Sequence, residues 1–333
     1  MDDFAHLNLI GRSPPFLAAL AAVVKFAACD ATVLIQGETG TGKELAARAI
    51  HYLSARRNAQ FIPVNCATLP DSLVESELFG HARGAFTDAR EARIGLVPQA
   101  DGGTLFLDEI EAISPRAQAA LLRFLQNREY RPVGSSLVMQ ANVRVLASTN
   151  AELKTMVERG TFRSDLLFRL NVLGVRLPPL RARTGDVAPL TEVFLNRLSA
   201  EYGQPPKRLH PGSVAALEAY AWPGNVRELE NLVHREWLLA TGPVIEITAI
   251  ESATGCAAPP TIVPESDQPT FKEAKARAVA DFERTYMSRL LARTAGNMTL
   301  AAQLAGKDRS DLGKLLKKHG LARHVFRDCT AGQ

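Results

Sequence analysis

TVLIQGETGTGKELAARAIHYL, residues 32–53, decides the fold. An apolar run, TVLIQ (32–36), feeds directly into GETGTGKE (37–44), and a helical pattern, LAARAIHYL, follows. Gly37, Gly40 and Gly42 permit a tight turn around Glu38, Thr39 and Thr41, in which backbone N–H groups surround phosphate oxygens. The partial positive charge at the start of the next helix adds to that cradle. Lys43 is placed to reach the terminal phosphates of a nucleotide. Glu44 stands where this loop type usually has a Ser or Thr for magnesium. The spacing therefore leaves Mg²⁺ to Asp108, Glu44, water or Thr41.

Outward from this loop, FIPVN (61–65), GTLFLDE (103–109) and VRVLAST (143–149) are further short apolar runs separated by helical patterns. That rhythm predicts an α/β core with a largely parallel, buried sheet. GGTLFLDEI (102–110) ends a buried strand in two carboxylates 65 residues beyond Lys43. Asp108 is expected to hold the metal through water, and Glu109 to polarise an attacking water. Together the two motifs predict ATP hydrolysis with ATP and Mg²⁺ as cofactors.

With 333 residues, 46% of them hydrophobic and 22% charged, the chain is long enough for two or three domains and too apolar for wholesale disorder. No stretch approaches the roughly 18 apolar residues of a membrane span, so no membrane partner is expected. The N-terminus MDDFAHLNLI lacks a signal pattern, and four scattered cysteines fit reduced thiols; both point to the cytoplasm. From about 186 to 250 helical patterns dominate. Residues 252–270, with Pro259, Pro260, Pro264 and Pro269, read as a linker. Residues 307–333 carry seven Lys/Arg and three Asp/Glu, an excess equal to the chain's whole formal charge of +4. Such a tail suits a polyanion.

On these motifs the chain resembles the bacterial enhancer-binding activators of sigma-54 RNA polymerase, the NtrC-like branch of the AAA+ ATPases. GETGTGKE is the form that family uses, and ESELFGHARGAFTDA (75–89) is similar to its GAFTGA loop. The resemblance implies an AAA+ core over 8–180, a helical lid over 181–250, a linker over 251–270 and a Fis-type helix-turn-helix module over 271–323. It implies that Gly84, Ala85, Phe86, Thr87, Asp88 and Ala89 touch the sigma factor, with Phe86 exposed. Asp88 replaces the family's second glycine, a change a left-handed turn tolerates. Asn65 matches the residue that holds the catalytic glutamate off, and Thr149 and Asn150 match the polar sensor. Arg163 and Arg169, in GTFRSDLLFRLNV (160–172), match arginines that face a neighbouring subunit's ATP. Arg227, in WPGNVRELEN (222–231), matches the second sensor, and Arg131 and Val133 lie in a segment like the second pore-side loop.

Arginines supplied in trans imply a homo-oligomer, a hexamer by family likeness. In the C-terminal module, Val279, Phe282, Tyr286 and Leu290 space out an amphipathic helix. Thr299 is expected to cap the next helix, packed by Ala301, Ala302 and Leu304, with Gly306 at the turn. A recognition helix from about Ser310 to His319 would bury Leu312, Leu315 and Leu316. Arg309, Ser310 and Lys314 would reach bases or phosphates, and Lys317 and Lys318 the backbone. Upstream enhancer DNA and the sigma-54 polymerase holoenzyme are the expected partners. About ten residues precede the core, so control by a separate inhibitory protein or by expression level is expected. Two alternatives stay open: another ring ATPase remodelling a different target, or a DNA-binding repressor whose nucleotide only sets oligomer state.

Overall fold

The computed structural model describes residues 7–70, 73–86, 89–247, 297–306 and 308–318, together with Glu283, Met287, Leu290 and Thr294. The chain divides into two compact units, 1–253 and 254–333.

The first unit opens with α1 (Pro14–Ala27), β1 (Val33–Gln36), α2 (Lys43–Tyr52) and β2 (Phe61–Asn65). After α3 (Val74–Phe79) comes a hairpin of β3 (Gly80–His81) and β4 (Arg93–Ile94), then α4 (Leu96–Gln99) and β5 (Thr104–Asp108). A second hairpin, β6 (Glu129–Tyr130) with β7 (Met139–Gln140), follows α5 (Pro115–Asn127). Next are β8 (Arg144–Thr149), α6 (Leu153–Glu158), α7 (Ser164–Leu170) and β9 (Leu173–Arg176). Five strands form one sheet in the order β2-β5-β8-β1-β9, every pair parallel.

The period-2 alternation of strand side chains divides the apolar runs between the two faces. Leu34, Leu105, Leu107, Val145 and Ala147 enter a core with α5 and α7, whereas Val33, Ile35, Phe106 and Leu146 pack with α1 and α2. A fully buried side chain of this size contributes roughly 1.5–3 kcal/mol relative to exposure. The four strands read from sequence all form. Pro63 confines β2 to the edge, where a missing N–H costs no ladder bond. At the opposite edge β9 alternates half-buried or exposed residues with buried Val175, and its short LGVR gives no continuous apolar signal.

The remainder of this unit comprises α8 (Val187–Tyr202), β10 (Arg208–Leu209), α9 (Pro211–Ala219), α10 (Asn225–Leu239) and β11 (Val244–Ile245). Its own core includes Leu190, Phe194, Leu217, Leu229 and both tryptophans, Trp222 and Trp237, each 1% exposed. The Trp222 Nε1–H donates to the Leu217 carbonyl at 2.8 Å, so the buried indole is satisfied. At the other end of α10 the Lys207 ammonium donates to the Trp237 and Ala240 carbonyls, at 2.9 and 2.7 Å.

A buried ion pair fastens the chain's start to this helical part. Asp186 and Arg183, 0% and 2% exposed, meet at 3.0 Å. Asp186 also accepts from the Arg12 N–H at 2.6 Å, the Ser13 N–H at 3.0 Å and the Ser13 hydroxyl at 2.8 Å. The Arg183 guanidinium lies 3.7 Å from the centre of the Phe16 ring. Burial alone would raise the Asp186 pKa, yet the hydrogen bonds from Arg12, Ser13 and Arg183 outweigh it and hold the carboxyl below its ordinary value.

In the second unit, α11 (Met298–Leu304) and α12 (Arg309–Lys318) are joined through Gly306 at φ +59°. Ala301 and Ala302 are buried with Met287, Leu290 and Met298. Two expectations are corrected here. Asn297 caps α11, accepting from the N–H groups of Thr299 and Leu300, so Thr299 lies inside the helix. Leu304 is 52% exposed instead of packed. Val279, Phe282, Tyr286, Lys307 and His319 lie outside the described residues, as do the side chains of Leu312, Leu315, Leu316, Lys317 and Lys318.

Candidate functional site

Parallel register brings the strand ends together along one edge. Gln36 pairs with Thr149 and Asn65 with Asp108, so Gly37, Cys66, Glu109 and Asn150 leave the sheet side by side. In open parallel sheets this carboxyl edge is where ligands bind.

The glycine loop takes the shape its sequence predicts. Gly40 and Gly42 adopt φ of +78° and +95°, a region that disfavours residues with a Cβ. Thr41 is 3% exposed and its hydroxyl donates to the Glu38 carbonyl at 2.8 Å. Lys43, 9% exposed, folds its ammonium back onto the carbonyls of Gly37 and Glu38, at 2.9 and 3.1 Å. Burial pushes its pKa down, while Asp108, Glu111 and Glu109 oppose the shift. Glu44 takes no part in this cluster; its carboxylate pairs with Arg48 one turn along α2, at 2.7 Å.

Asp108 ends β5 and accepts a hydrogen bond from the Ser148 hydroxyl of the neighbouring strand. Glu109 has left the strand and adopts φ +54°, so its side chain is set by a left-handed turn and not by strand alternation. Cys66, beside this edge, is buried; burial, followed by the fields of Asp108, Glu111 and Glu109, pushes its thiol up to about 12.

Thr149 and Asn150, expected as sensors, lie at the same edge. Thr149 is fully buried at the end of β8, and the Asn150 amide donates to the Thr39 hydroxyl at 3.3 Å. Asn65 is placed beside Asp108, but its Oδ1 accepts from the Ala67 N–H at 2.9 Å, capping the short turn Cys66–Thr68. Among the described residues no hydrogen bond joins Asn65 to Glu109, so the expected restraint on Glu109 is not formed in this state.

The start of α10 sits directly on the glycine loop. An added Cβ at Gly40 would lie 2.2 Å from the Gly224 carbonyl oxygen and 3.1 Å from the Arg227 Cβ. The Val226 N–H donates to the Gly40 carbonyl at 3.1 Å. Arg227 is thus in the first turn of α10 against the loop, and its charge reaches Lys43.

Three neighbours escaped the sequence reading. Asn225, fully buried at φ +54°, accepts from the Leu180 N–H at 2.7 Å and donates to the Thr39 carbonyl at 3.0 Å and the Glu38 carboxylate at 3.2 Å. Arg181 grips Glu38 in a bidentate pair at 2.5 and 2.7 Å, which holds the Glu38 carboxyl below its ordinary value. Glu111 accepts from the Asn150 N–H. Only the pairing of Asn with glycine in WPGN hinted at a left-handed residue there.

Two expected residues stand apart from this cluster. Arg163 precedes the first turn of α7 without a side-chain capping bond and pairs with Asp165 at 2.8 Å, whereas Arg169 is exposed and makes no ion pair among the described residues. Beside it Phe168 is 79% exposed.

The GAFTDA segment follows the β3 strand. Gly84 has φ +78°, and its N–H donates to the Ala89 carbonyl at 2.8 Å, closing a small loop. Phe86 is exposed, at 36%, with one side of its ring against the His81 ring at 4.9 Å. Thr87 and Asp88 lie outside the described residues. The Val133 N–H donates to the Gly80 carbonyl, and the Val133 carbonyl accepts from the Ala82 N–H, both at 2.9 Å; the two loops are laced together.

The profile of the sigma-54 interaction domain matches residues 9–176, and that of the AAA+ ATPase lid domain matches 181–261. The chain belongs to the sigma-54 interaction domain family. It is 43% identical over 318 residues to the transcriptional regulatory protein FlbD of Caulobacter vibrioides, covering 93% of this chain and 70% of that protein. With the DNA-binding transcriptional regulator NtrC of Azospirillum brasilense it shares 42% identity over 334 residues, 94% of this chain and 69% of the relative. The crystal structure of NtrX from Brucella abortus in complex with ATP matches at a TM-score of 0.69 and 32% identity, over 93% of this chain and 69% of that one. These matches fix the α/β AAA+ fold and the place of the chain among sigma-54 activators. Among the described residues no helix is long and apolar enough to cross a membrane.

Proposed function

We propose that this protein hydrolyses ATP in an oligomeric ring and uses the cycle to remodel sigma-54 polymerase at promoters, with its C-terminal module on upstream DNA. One observation carries the reading: the buried Lys43 ammonium sits inside the glycine loop, facing Asp108 and Glu109 across the carboxyl edge of a parallel sheet. The left-handed glycines keep that loop open to phosphate oxygens, and NtrX, at 32% identity, was solved with ATP.

Lys43 would exchange its two carbonyl partners for β- and γ-phosphate oxygens. Magnesium fits the oxygen donors at this edge, where Asp108 is the residue to hold it; Glu44 is paired away and the Thr41 hydroxyl is engaged by Glu38. When bound, the ion neutralises charge on the β- and γ-phosphates. Glu109 takes a proton from the attacking water, and Asn150 and Arg227 bind the terminal phosphate. Arg169, free of ion pairs among the described residues, is the better-placed residue to complete a neighbour's site; Arg163 must first leave Asp165. Such a finger is worth roughly 10³–10⁵ in rate. Phe86 and its loop would carry the resulting movement to the sigma factor.

A mixing experiment tests this. Lys43→Ala and Arg169→Ala should each abolish turnover and promoter opening in a reconstituted sigma-54 transcription assay. Mixed, they should regain part of the activity, because some interfaces then pair an intact Lys43 with an intact Arg169. A mixture as inactive as its components would remove the shared site. Opening supported equally by a non-hydrolysable ATP analogue would remove the role of hydrolysis.

A further inference from the structure

Glu111 lies three residues beyond Asp108, in the short turn Ile110–Ala112 that follows the left-handed Glu109. The turn directs its side chain back toward the sheet edge, where Oε1 accepts the backbone N–H of Asn150 at 3.2 Å. Asn150 in turn donates its side-chain amide to the Thr39 hydroxyl of the glycine loop at 3.3 Å. A continuous chain of hydrogen bonds thus runs from Glu111 through Asn150 to the phosphate loop. The other carboxylate oxygen, Oε2, is buried and has no hydrogen-bond partner among the described residues. A buried acceptor without a donor is uncommon in a folded protein, and it leaves the Glu111 carboxylate held at this edge chiefly by its bond to Asn150. The charge of Glu111 also bears on the Lys43 ammonium, after that of Asp108 and ahead of that of Glu109.

We propose that Glu111 is a positioning residue of the hydrolytic site: its carboxylate fixes the Asn150 backbone so that the Asn150 amide meets the terminal phosphate of a nucleoside triphosphate. The inference deepens the ATPase reading and rests on it. Glu111 touches neither the reacting water nor the phosphate; it acts through Asn150. Its loss should therefore lower the chemical step and the preference for a triphosphate, while general nucleotide affinity holds.

The test compares the full chain with Glu111→Ala and Glu111→Gln, and with Lys43→Ala as a control on the reading itself. Three readouts are taken: hydrogen exchange at the Asn150 amide without nucleotide, kcat and KM for ATP, and affinity for ADP against a non-hydrolysable ATP analogue. In Glu111→Ala the Asn150 amide should exchange about tenfold faster, reflecting one lost charge-assisted bond. Its kcat should fall about 10- to 100-fold, the usual cost of a misplaced group, with KM within about threefold. The analogue should weaken more than ADP does. Glu111→Gln should recover to within about threefold of the parent, because its amide oxygen accepts the same N–H. Parent-like exchange and kcat in Glu111→Ala overturn the proposal, as does Glu111→Gln behaving no better than Glu111→Ala. If the parent itself turns over no ATP, and Lys43→Ala binds nucleotide as well as it does, the ATPase reading fails. The exchange measurement then still decides whether Glu111 holds Asn150.

Discussion

Replacing Asp186 by Ala strands a charge. In the native chain Asp186 is fully buried, pairs with the 2%-exposed Arg183 at 3.0 Å, and accepts three further hydrogen bonds from Arg12 and Ser13. Removing one member of such a pair leaves an uncompensated guanidinium away from water, at a cost of about 3–5 kcal/mol. For a unit of this size each kcal/mol moves the melting temperature by roughly 2–4 °C, so a fall of about 6–20 °C is expected. Both tryptophans are buried in the helical part that Asp186 adjoins, so urea unfolding followed by indole fluorescence reads the loss directly. Adding Arg183→Met removes the stranded charge and should return about half of the stability, the N–H groups of Arg12 and Ser13 still lacking an acceptor. The acid limb carries a sign. Because the folded pKa of Asp186 is depressed, its contribution is complete above the unfolded value of 3.8 and is lost as pH falls further, through the folded value. The gap between parent and variant should therefore close only below about pH 4. A loss under about 1 kcal/mol at neutral pH, or a double variant no better than Asp186→Ala, would refute the reasoning.

Other consequences are as direct. Asn225→Ala should cost about 2–4 kcal/mol, combining an unsatisfied Leu180 N–H with a Cβ-bearing residue left at positive φ, and Asn225→Gly should recover about 1 kcal/mol of it; chemical denaturation measures both. Gly40→Ala, at φ +78° and with its Cβ 2.2 Å from the Gly224 oxygen, should force α10 off the glycine loop and raise the Kd for ATP at least tenfold, read by calorimetry. Asp88→Gly should preserve or improve open-complex formation on a sigma-54 promoter; a clear loss would show that Asp88 makes a contact of its own. Lys314→Ala, at a residue whose ion pair with Asp311 is exposed, should reduce the salt dependence of DNA binding by about one phosphate's worth, measured by titration at several salt concentrations.

The core strands were legible because burial on both faces leaves runs such as VRVLAST rich in apolar and β-branched residues, every position of β8 being buried, whereas the half-exposed β9 leaves only LGVR. Likewise the glycine loop announces itself, since phosphate binding demands glycines and a lysine at fixed spacing within one segment. Residues that act by tertiary contact carry no such mark. Asn225 reaches Glu38 across 187 residues, Arg181 reaches it across 143, and Ser148 reaches Asp108 across 40. Side chains with competing local partners misled in another way. Glu44 has an arginine one turn ahead, and Asn65 sits where an Asn readily caps the following turn. Motif position located both; only the coordinates reveal that each side chain is already engaged.

Cys66 offers a chemical clock on this machinery. Alkylating reagents need a thiolate, and a thiol raised to about 12 supplies almost none at neutral pH, while exposed Cys29 stays open to attack. Any step that draws Asp108, Glu109 and Glu111 away from Cys66 or wets its surroundings would make it reactive. The rate of maleimide capture there would then count how often the phosphate-facing edge of the sheet comes apart.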